Sequence, residues 1–245
     1  MIRSIEITIP ILNEDKTLIE QVKKAYFFIE NHLQDIGSIK LILADNGSTD
    51  KTPEMAKALA EEFANVEYLR IGQRGVGRAL KESWIRSKAD IVGYMDLDLA
   101  TDLSYIRPAL EIIIFNSANI VTGSRLSKGS NVIGRKPLRN ITSKSFNYIV
   151  KLMFRTAFAD GMCGFKFIQR SILENLLESG AQSNGWFFAT EILIVGEYQR
   201  LKVVDLPITW TDDSNSKVKI IKLIIEYFKA MLILRLRLNK SDPGV

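Results

Sequence analysis

The sequence predicts an α/β fold built on a mainly parallel, twisted sheet flanked by helices. Three observations carry that prediction. Apolar strand-like runs alternate with helix-length stretches, the early runs end in polar clusters, and 245 residues suffice for one sizeable domain. Ligands of such sheets bind beyond the carboxyl ends of the strands, where these clusters fall.

Residues 2 to 9 read as a buried strand leading into Pro10-Ile11-Leu12-Asn13-Glu14, with a helix expected from about 16 to 33 and Asp15 as its N-cap. A second strand at 39 to 44 ends at Asp45-Asn46-Gly47-Ser48-Thr49-Asp50. The helix after it starts near Pro53, a residue favoured in a first turn, and runs to about 63. A third strand at 66 to 71 precedes the glycine-bearing loop Gly72-Gln73-Arg74-Gly75-Val76-Gly77 and a helix over 78 to 87. Strands four and five are expected at 90 to 95 and 119 to 122.

Residues 124 to 147 read as a long basic loop with Arg125, Lys128, Arg135, Lys136, Arg139 and Lys144; following the fifth strand, it shares that sheet edge. A helix over about 141 to 158, another opened by Gly185-Trp186-Phe187-Phe188-Ala189-Thr190-Glu191, and an edge strand at 203 to 210 broken by Pro207 complete a main domain over 1 to 212. The remainder, 213 to 245, holds a helix at 216 to 238 with Lys219, Lys222, Glu226 and Lys229 on one face and apolar residues around the rest. Such a helix either lies in a membrane interface or packs on the core.

Composition excludes several chemistries. One cysteine, Cys163, allows no internal disulfide and suits a reducing, cytoplasmic setting; with the single histidine, His32, it cannot build a zinc cluster. A Ser-His-Asp triad is equally disfavoured. The first residues lack a signal-peptide pattern, and no apolar run is long enough to span a membrane. The turn after the first strand has no glycine and no G-K-[ST] occurs, which argues against dinucleotide and P-loop folds. Net charge of +5 is compatible with anionic partners, and no feature points to nucleic acid.

The chemistry centres on Ile91-Val92-Gly93-Tyr94-Met95-Asp96-Leu97-Asp98, where an apolar run ends in two carboxylates one residue apart. In strand-like geometry both share a face and converge just past the strand. Two hard oxygen ligands suit Mg2+ or Mn2+ rather than zinc and can serve a departing diphosphate. Alone, D-x-D is also a common solvated turn.

Taken in order, the motifs resemble those of inverting glycosyltransferases of the second sequence family, with a GT-A fold, and more closely the polyprenyl- (dolichyl-) phosphate sugar synthases. Ile9-Pro10-Ile11-Leu12-Asn13-Glu14 resembles V-P-x-Y-N-E, and Asp45-Asn46-Gly47-Ser48 resembles D-D-G-S with Asn46 in the second aspartate's place. The resemblance implies that Pro10, Asn13, Glu14 and Asp45 line the base and ribose pocket. The segment holding Gly75 would let the chain approach the nucleotide, and Asp96 with Asp98 would serve metal and pyrophosphate. Ala100 stands where many mannosyl members carry a polar residue. Gly123-Ser124-Arg125 and the Arg139, Ser143, Asn147 spacing match stretches that give Arg125 and Arg139 to the lipid phosphate. Asp160-Gly161-Met162-Cys163-Gly164-Phe165-Lys166, the stretch ending in Glu191, Trp210 and Ser216-Lys217 resemble the glucosyl branch, which adds Lys217 to the nucleotide set.

The implied activity is transfer of a hexose, glucose before mannose, from a nucleoside-diphosphate sugar to a polyprenyl (dolichyl) phosphate. It is expected on the cytoplasmic face of a membrane, with room for a separate anchoring protein. Asp98, Arg125 and Arg139 are the expected catalytic residues. Asp160 and Glu191 are candidates for sugar contact or proton transfer, with a turn cap and a first-turn helix acid as their structural alternatives. A hydroxyl acceptor, which needs a general base, a non-catalytic sugar-nucleotide-binding membrane scaffold, and a nucleotidyltransferase are the competing readings.

Overall fold

The computed structural model describes residues 3–212 and 220–241. Its first half alternates as expected: β1 (Ser4–Ile11), α1 (Leu18–His32), β2 (Ser38–Asp45), α2 (Thr52–Glu62), β3 (Val66–Arg70), α3 (Val76–Arg86) and β4 (Ile91–Met95). Then come α4 (Ile106–Ile114), β5 (Ile120–Ser124), β6 (Asn131–Ile133), α5 (Pro137–Phe154), β7 (Phe165–Gln169) and α6 (Leu173–Glu178). The chain continues through α7 (Phe188–Tyr198), β8 (Val203–Pro207), β9 (Thr209–Thr211) and α8 (Ile220–Ser241).

Seven strands form the main sheet in the order β3-β2-β1-β4-β7-β5-β8, and β6 pairs with β9 in a small second sheet. Every pairing in the main sheet is parallel except those of β7, which runs antiparallel to both β4 and β5. That reversal has a functional consequence. The start of β7, not its end, lies beside the carboxyl ends of β4 and β5, so residues 160–164 reach the same sheet edge as Asp96 and Arg125.

Side chains alternate across the sheet and feed two large cores, beside a smaller cluster of Ile42, Ala44, Leu69, Ile71 and Ala79. Ile91 and Met95 of β4 join Ile7, Leu18 and Ile106 on the face covered by α1, α2 and α4. Val92 and Tyr94 join Trp84, Phe188 and Leu234 on the face covered by α3, α6, α7 and α8. Gly93 lies at the β4–β7 contact, where a Cβ would sit 2.3 Å from the Phe167 ring.

Three expectations are corrected. Thr17, not Asp15, occupies the N-cap of α1, and no side chain caps it. The region read as a loop over 124 to 147 contains β6, and α5 already begins at Pro137, whose fixed φ suits a first turn. Arg139 is therefore helical, and α5 ends at Phe154, where Arg155 turns left-handed. The Pro207 break is as expected: β8 is an edge strand and β9 follows it in the other sheet.

The last helix packs on the core through Tyr227, Met231, Leu234 and Leu238, a 4-3-4 spacing along one face. It also leaves Ile225, Phe228, Leu232, Ile233 and Leu236 exposed. Lys219 and residues 213–219 generally lie outside the described residues. Among the described residues no helix is long and apolar enough to cross a membrane. Because Leu234 is 0% and Leu236 63% exposed, Leu234→Ala should cost about 2–5 kcal/mol in urea unfolding. Leu236→Ala should stay within about 0.5 kcal/mol of the parent. Equal costs for the two would contradict this docking of α8.

Candidate active site

The carboxylate pair sits in a turn rather than on a continuing strand. β4 ends at Met95, the Leu99 N–H donates to the Asp96 carbonyl at 3.2 Å, and Leu99 takes a φ of 50°. The Ala100 N–H then donates to the Asp98 carboxylate at 3.0 Å. Asp96 is partly buried and Asp98 exposed. Their charges still meet: burial, and next the neighbouring Asp98, push the Asp96 carboxyl up to about 7, while Lys166 and Arg125 pull against that rise. Asp98 also acts on Glu14, whose carboxyl is raised by burial and then by Asp98 and Asp50.

Gly164 explains one glycine of the 160–166 segment. A Cβ there would lie 1.8 Å from Asp96 Oδ2, and its carbonyl accepts the Asp96 N–H at 3.1 Å. Only a residue without a side chain allows this approach. A cleft beside the pair is lined by Asp96, Leu99, Ala100, Thr101, Gly164 and Trp210. Asp96 and Asp98 are the residues that could hold a divalent cation, since two hard carboxylates that repel each other gain from a shared counter-charge. Among the described residues no group of three or more His, Cys, Asp or Glu is arranged to hold a metal. A cation here would take its further ligands from substrate oxygens and water.

Opposite the turn, Arg125 and Asp160 form a two-point ion pair, Nε to Oδ2 at 2.7 Å and Nη2 to Oδ1 at 2.9 Å. The Arg125 and Met162 backbone N–H groups donate to the same carboxylate, each at 3.1 Å. Burial alone would raise the Asp160 carboxyl, but Arg125 overrides it and holds it below the usual range. An acid this firmly ionised and fully engaged is suited to positioning Arg125, not to moving protons.

Lys166 is fully buried in β7 and donates from Nζ to the carbonyls of Gly161, at 3.2 Å, and Cys163. It holds the 160–164 turn shut from behind. Burial pushes the Cys163 thiol up to about 11, which makes it a packing residue and no nucleophile.

The basic segment divides in two. Lys128, Lys136 and Lys144 are exposed. Arg125 and Arg135 instead lie against the Trp210 ring, their guanidinium carbons 5.2 and 5.5 Å from its centroid, and Arg139 pairs with Asp212 at 2.7 Å.

Glu191 opens α7 but faces elsewhere. It accepts from the Ser183 N–H at 2.7 Å and the Ser183 hydroxyl at 2.6 Å, with Arg237 of α8 at 3.9 Å. It braces a loop whose Gly185 and Asn184 carbonyls accept the Gly77 and Arg78 N–H groups at the start of α3, both at 3.2 Å. As with Asp160, its oxygens are committed within the protein.

The expected nucleotide residues gather at the ends of β1 and β2 and the start of α3. Pro10 pairs with Ala44, Asn13 accepts the Thr49 N–H at 2.8 Å, and the Glu14 N–H donates to Thr52 at 2.7 Å. Asp45 is buried and committed: its oxygens accept from Ser48 N–H, from Tyr68 OH, each at 2.8 Å, and from Arg70. Its oxygens are thus taken up within the protein. The Asn46 side chain instead reaches Gly75, accepting its N–H at 2.6 Å and tying the second strand's turn to the α3 loop. A Cβ on Gly75 would lie 2.3 Å from the Asn184 carbonyl oxygen. Lys217 lies outside the described residues.

Sequence reading passed over Tyr68 and Arg70, and named Lys166 as part of a motif without giving it a role. Arg70 comes opposite Asp45 through the β2–β3 register, which no local pattern reveals. Lys166 did carry a signal, a lone charge inside the apolar run Phe165-Lys166-Phe167-Ile168.

The profile described as Glycosyl transferase family 2 matches residues 6–177. The glycosyltransferase AglD of Haloferax volcanii is 29% identical over 222 residues, covering 90% of this chain and 35% of that protein. The dolichyl-phosphate beta-glucosyltransferase of Saccharomyces cerevisiae is 26% identical over 251 residues, covering 95% of this chain and 74% of that one. The chain thus spans about a third of AglD and three-quarters of the yeast enzyme. Glucosyl-3-phosphoglycerate synthase from Mycobacterium tuberculosis, solved with Mn2+, UDP and glucosyl-3-phosphoglycerate, shares the fold. It has a TM-score of 0.70 at 19% identity, over 99% of this chain and 82% of that one. The family match runs from β1 to α6 and so takes in the carboxylate turn, the ion pair and the reversed strand: the chain belongs to glycosyl transferase family 2 and has the GT-A fold.

Proposed function

We propose that this glycosyltransferase moves a hexose, glucose before mannose, from a nucleoside-diphosphate sugar to a polyprenyl (dolichyl) phosphate, with inversion at the anomeric carbon. One observation carries the choice of acceptor. Both candidate bases, Asp160 and Glu191, have their oxygens committed to Arg125 and Ser183, while Arg125 and Arg135 lie against the Trp210 ring that lines the cleft beside Asp96 and Arg139 is held by Asp212. A hydroxyl acceptor needs a base to remove its proton. A phosphate monoester is already anionic at neutral pH and needs cations to hold it. The relatives' names give independent support, since several are dolichyl-phosphate beta-glucosyltransferases and one is a dolichol-phosphate mannosyltransferase.

On this reading Pro10, Asn13, Glu14 and Gly75 bound the nucleotide pocket, and Asp45 secures its floor. Asp96 and Asp98 would hold Mg2+ or Mn2+, which when bound supplies positive charge to the diphosphate leaving group. Arg125 and Arg139 orient the acceptor phosphate, and the Trp210 wall keeps water from the reacting face. Direct displacement on an α-linked donor yields a β-linked lipid phosphosugar.

A membrane surface is the proposed setting. The outer face of α5 exposes Leu138, Ile141, Tyr148 and Leu152 on a helical stripe, with Lys144 and Arg155 also exposed on or beside it. Phe146 of α5 meets Tyr227 of α8, ring centroids 5.2 Å apart, so the apolar stripes belong to neighbouring helices. Arg139 and Ser143, the proposed phosphate side of α5, lie on the same helix as that stripe. An interfacial position would bring the acceptor's headgroup to them.

The direct test is a donor screen with a short polyprenyl phosphate and Mn2+ or Mg2+, read by mass spectrometry of the lipid. One donor, UDP-glucose before GDP-mannose, should give a lipid phosphosugar, and Asp98→Ala should lose it. Donor hydrolysis without lipid product would contradict the acceptor assignment. A second expectation concerns pH. Since the Asp96 carboxyl is raised to about 7, the carboxylate that a cation needs is lost as pH falls through that value. Mn2+ affinity measured calorimetrically without nucleotide should drop about tenfold per pH unit below it. A flat profile from pH 5.5 to 8 would contradict the role given to Asp96.

A further inference from the structure

Arg135 differs from its two arginine neighbours. Arg125 is paired with Asp160 and Arg139 with Asp212, but Arg135 has no carboxylate partner among the described residues. Its Nε and Nη1 are buried and make no hydrogen bond there. Buried guanidinium N–H groups are unfavourable unless an acceptor completes them, and each such orphan calls for an explanation. The Ser143 hydroxyl, 3% exposed and one helical turn beyond Arg139, is orphaned in the same way. Burial, and then the like charges of Arg125 and Arg139, weaken Arg135's hold on its proton, with Asp160 and Asp212 opposing. An arriving anion would relieve both strains.

Trp210 relates this orphan to the reaction centre. Arg125 and Arg135 lie against its ring. The residue also lines the cleft beside Asp96 and bridges Thr101, five residues beyond Asp96. Arg135 thus lies against the same ring that lines the cleft beside Asp96, and although Asp160 and Asp212 act on it through space, neither is bonded to it.

We propose that Arg135 is a substrate-binding residue, the guanidinium that meets the acceptor's phosphate without first giving up an internal partner, with Trp210 as the plate that aims it. This rests on the phosphate-acceptor reading above and sharpens it. Arg125 is then chiefly a preorganised neighbour whose charge Asp160 already shares, and Arg135 supplies the unmatched positive charge that selects a phosphate over a neutral hydroxyl.

The test measures KM for a short polyprenyl phosphate and for the sugar-nucleotide donor in the full chain and in Arg135→Met, together with urea unfolding of both. The acceptor KM should rise at least about tenfold, the yield of a lost charged hydrogen bond, with the donor KM within about twofold. Because the native guanidinium lacks a partner, the unfolding midpoint should stay level or rise. An unchanged acceptor KM, a matching rise in both KM values, or a lower unfolding midpoint would overturn the assignment. A parent protein that glycosylates only hydroxyl acceptors would overturn the phosphate reading itself, a result visible without the variant.

Discussion

Arg125 and Asp160 pair at two points inside the protein, and Arg125 and Lys166 both act on the Asp160 and Asp96 carboxylates. Two acids and two cations make a cluster that balances when all four are ionised. Buried charges are tolerated only when paired and hydrogen-bonded, so each member constrains the rest. Asp160 can be buried because Arg125 and two backbone N–H groups meet it. The turn that carries Asp160 is in turn closed by Lys166 through two carbonyls. Gly164, at the end of that turn, leaves the space into which Asp96 folds. All of this requires β7 to run against its neighbours, because only a reversed strand begins where β4 and β5 end.

A second network joins the ends of β1 and β2 to α3 and reaches further. Asn46 joins the β2 turn to Gly75, the start of α3 donates to the 184–185 carbonyls, and Glu191 anchors that loop through Ser183. Arg237 extends the chain of contacts to α8, donating to the Gly180 carbonyl at 3.2 Å and standing 3.9 Å from Glu191. The last helix therefore does more than cover apolar surface. It backs the loop at the start of α3, while Phe228, Leu232 and Leu236 on its outer side stay exposed.

Much of this was readable beforehand, and the boundary between legible and illegible is physical. The first four strands and the D-x-D position follow from local apolar runs that end in polar clusters, a signal that needs no knowledge of partners. Five-residue β7 sits against a loop motif, and its direction depends on pairing two strands distant in sequence. The helical placement of Arg139 was hidden by a basic composition that reads as loop until Pro137 is recognised as a first-turn residue. The motifs mark Asp45 as a pocket residue and Asp160 and Glu191 as sugar-contact or proton-transfer candidates, whereas their partners Arg70, Arg125 and Ser183 come from elsewhere in the fold. Residue type announces that a charge matters; only geometry says whether it faces a ligand or the protein.

The central claim is that the Arg125–Asp160 pair exists to hold the site, not to stabilise the fold. The double variant Arg125→Met/Asp160→Leu tests it against both single variants, with unfolding free energy and lipid phosphosugar formation measured together. Each single change leaves one buried charge unmatched and should cost about 3–5 kcal/mol, whereas the apolar pair should recover most of that stability. Transfer should nevertheless stay lost in the double variant. A double variant that still transfers sugar at near-parental rates would contradict the account.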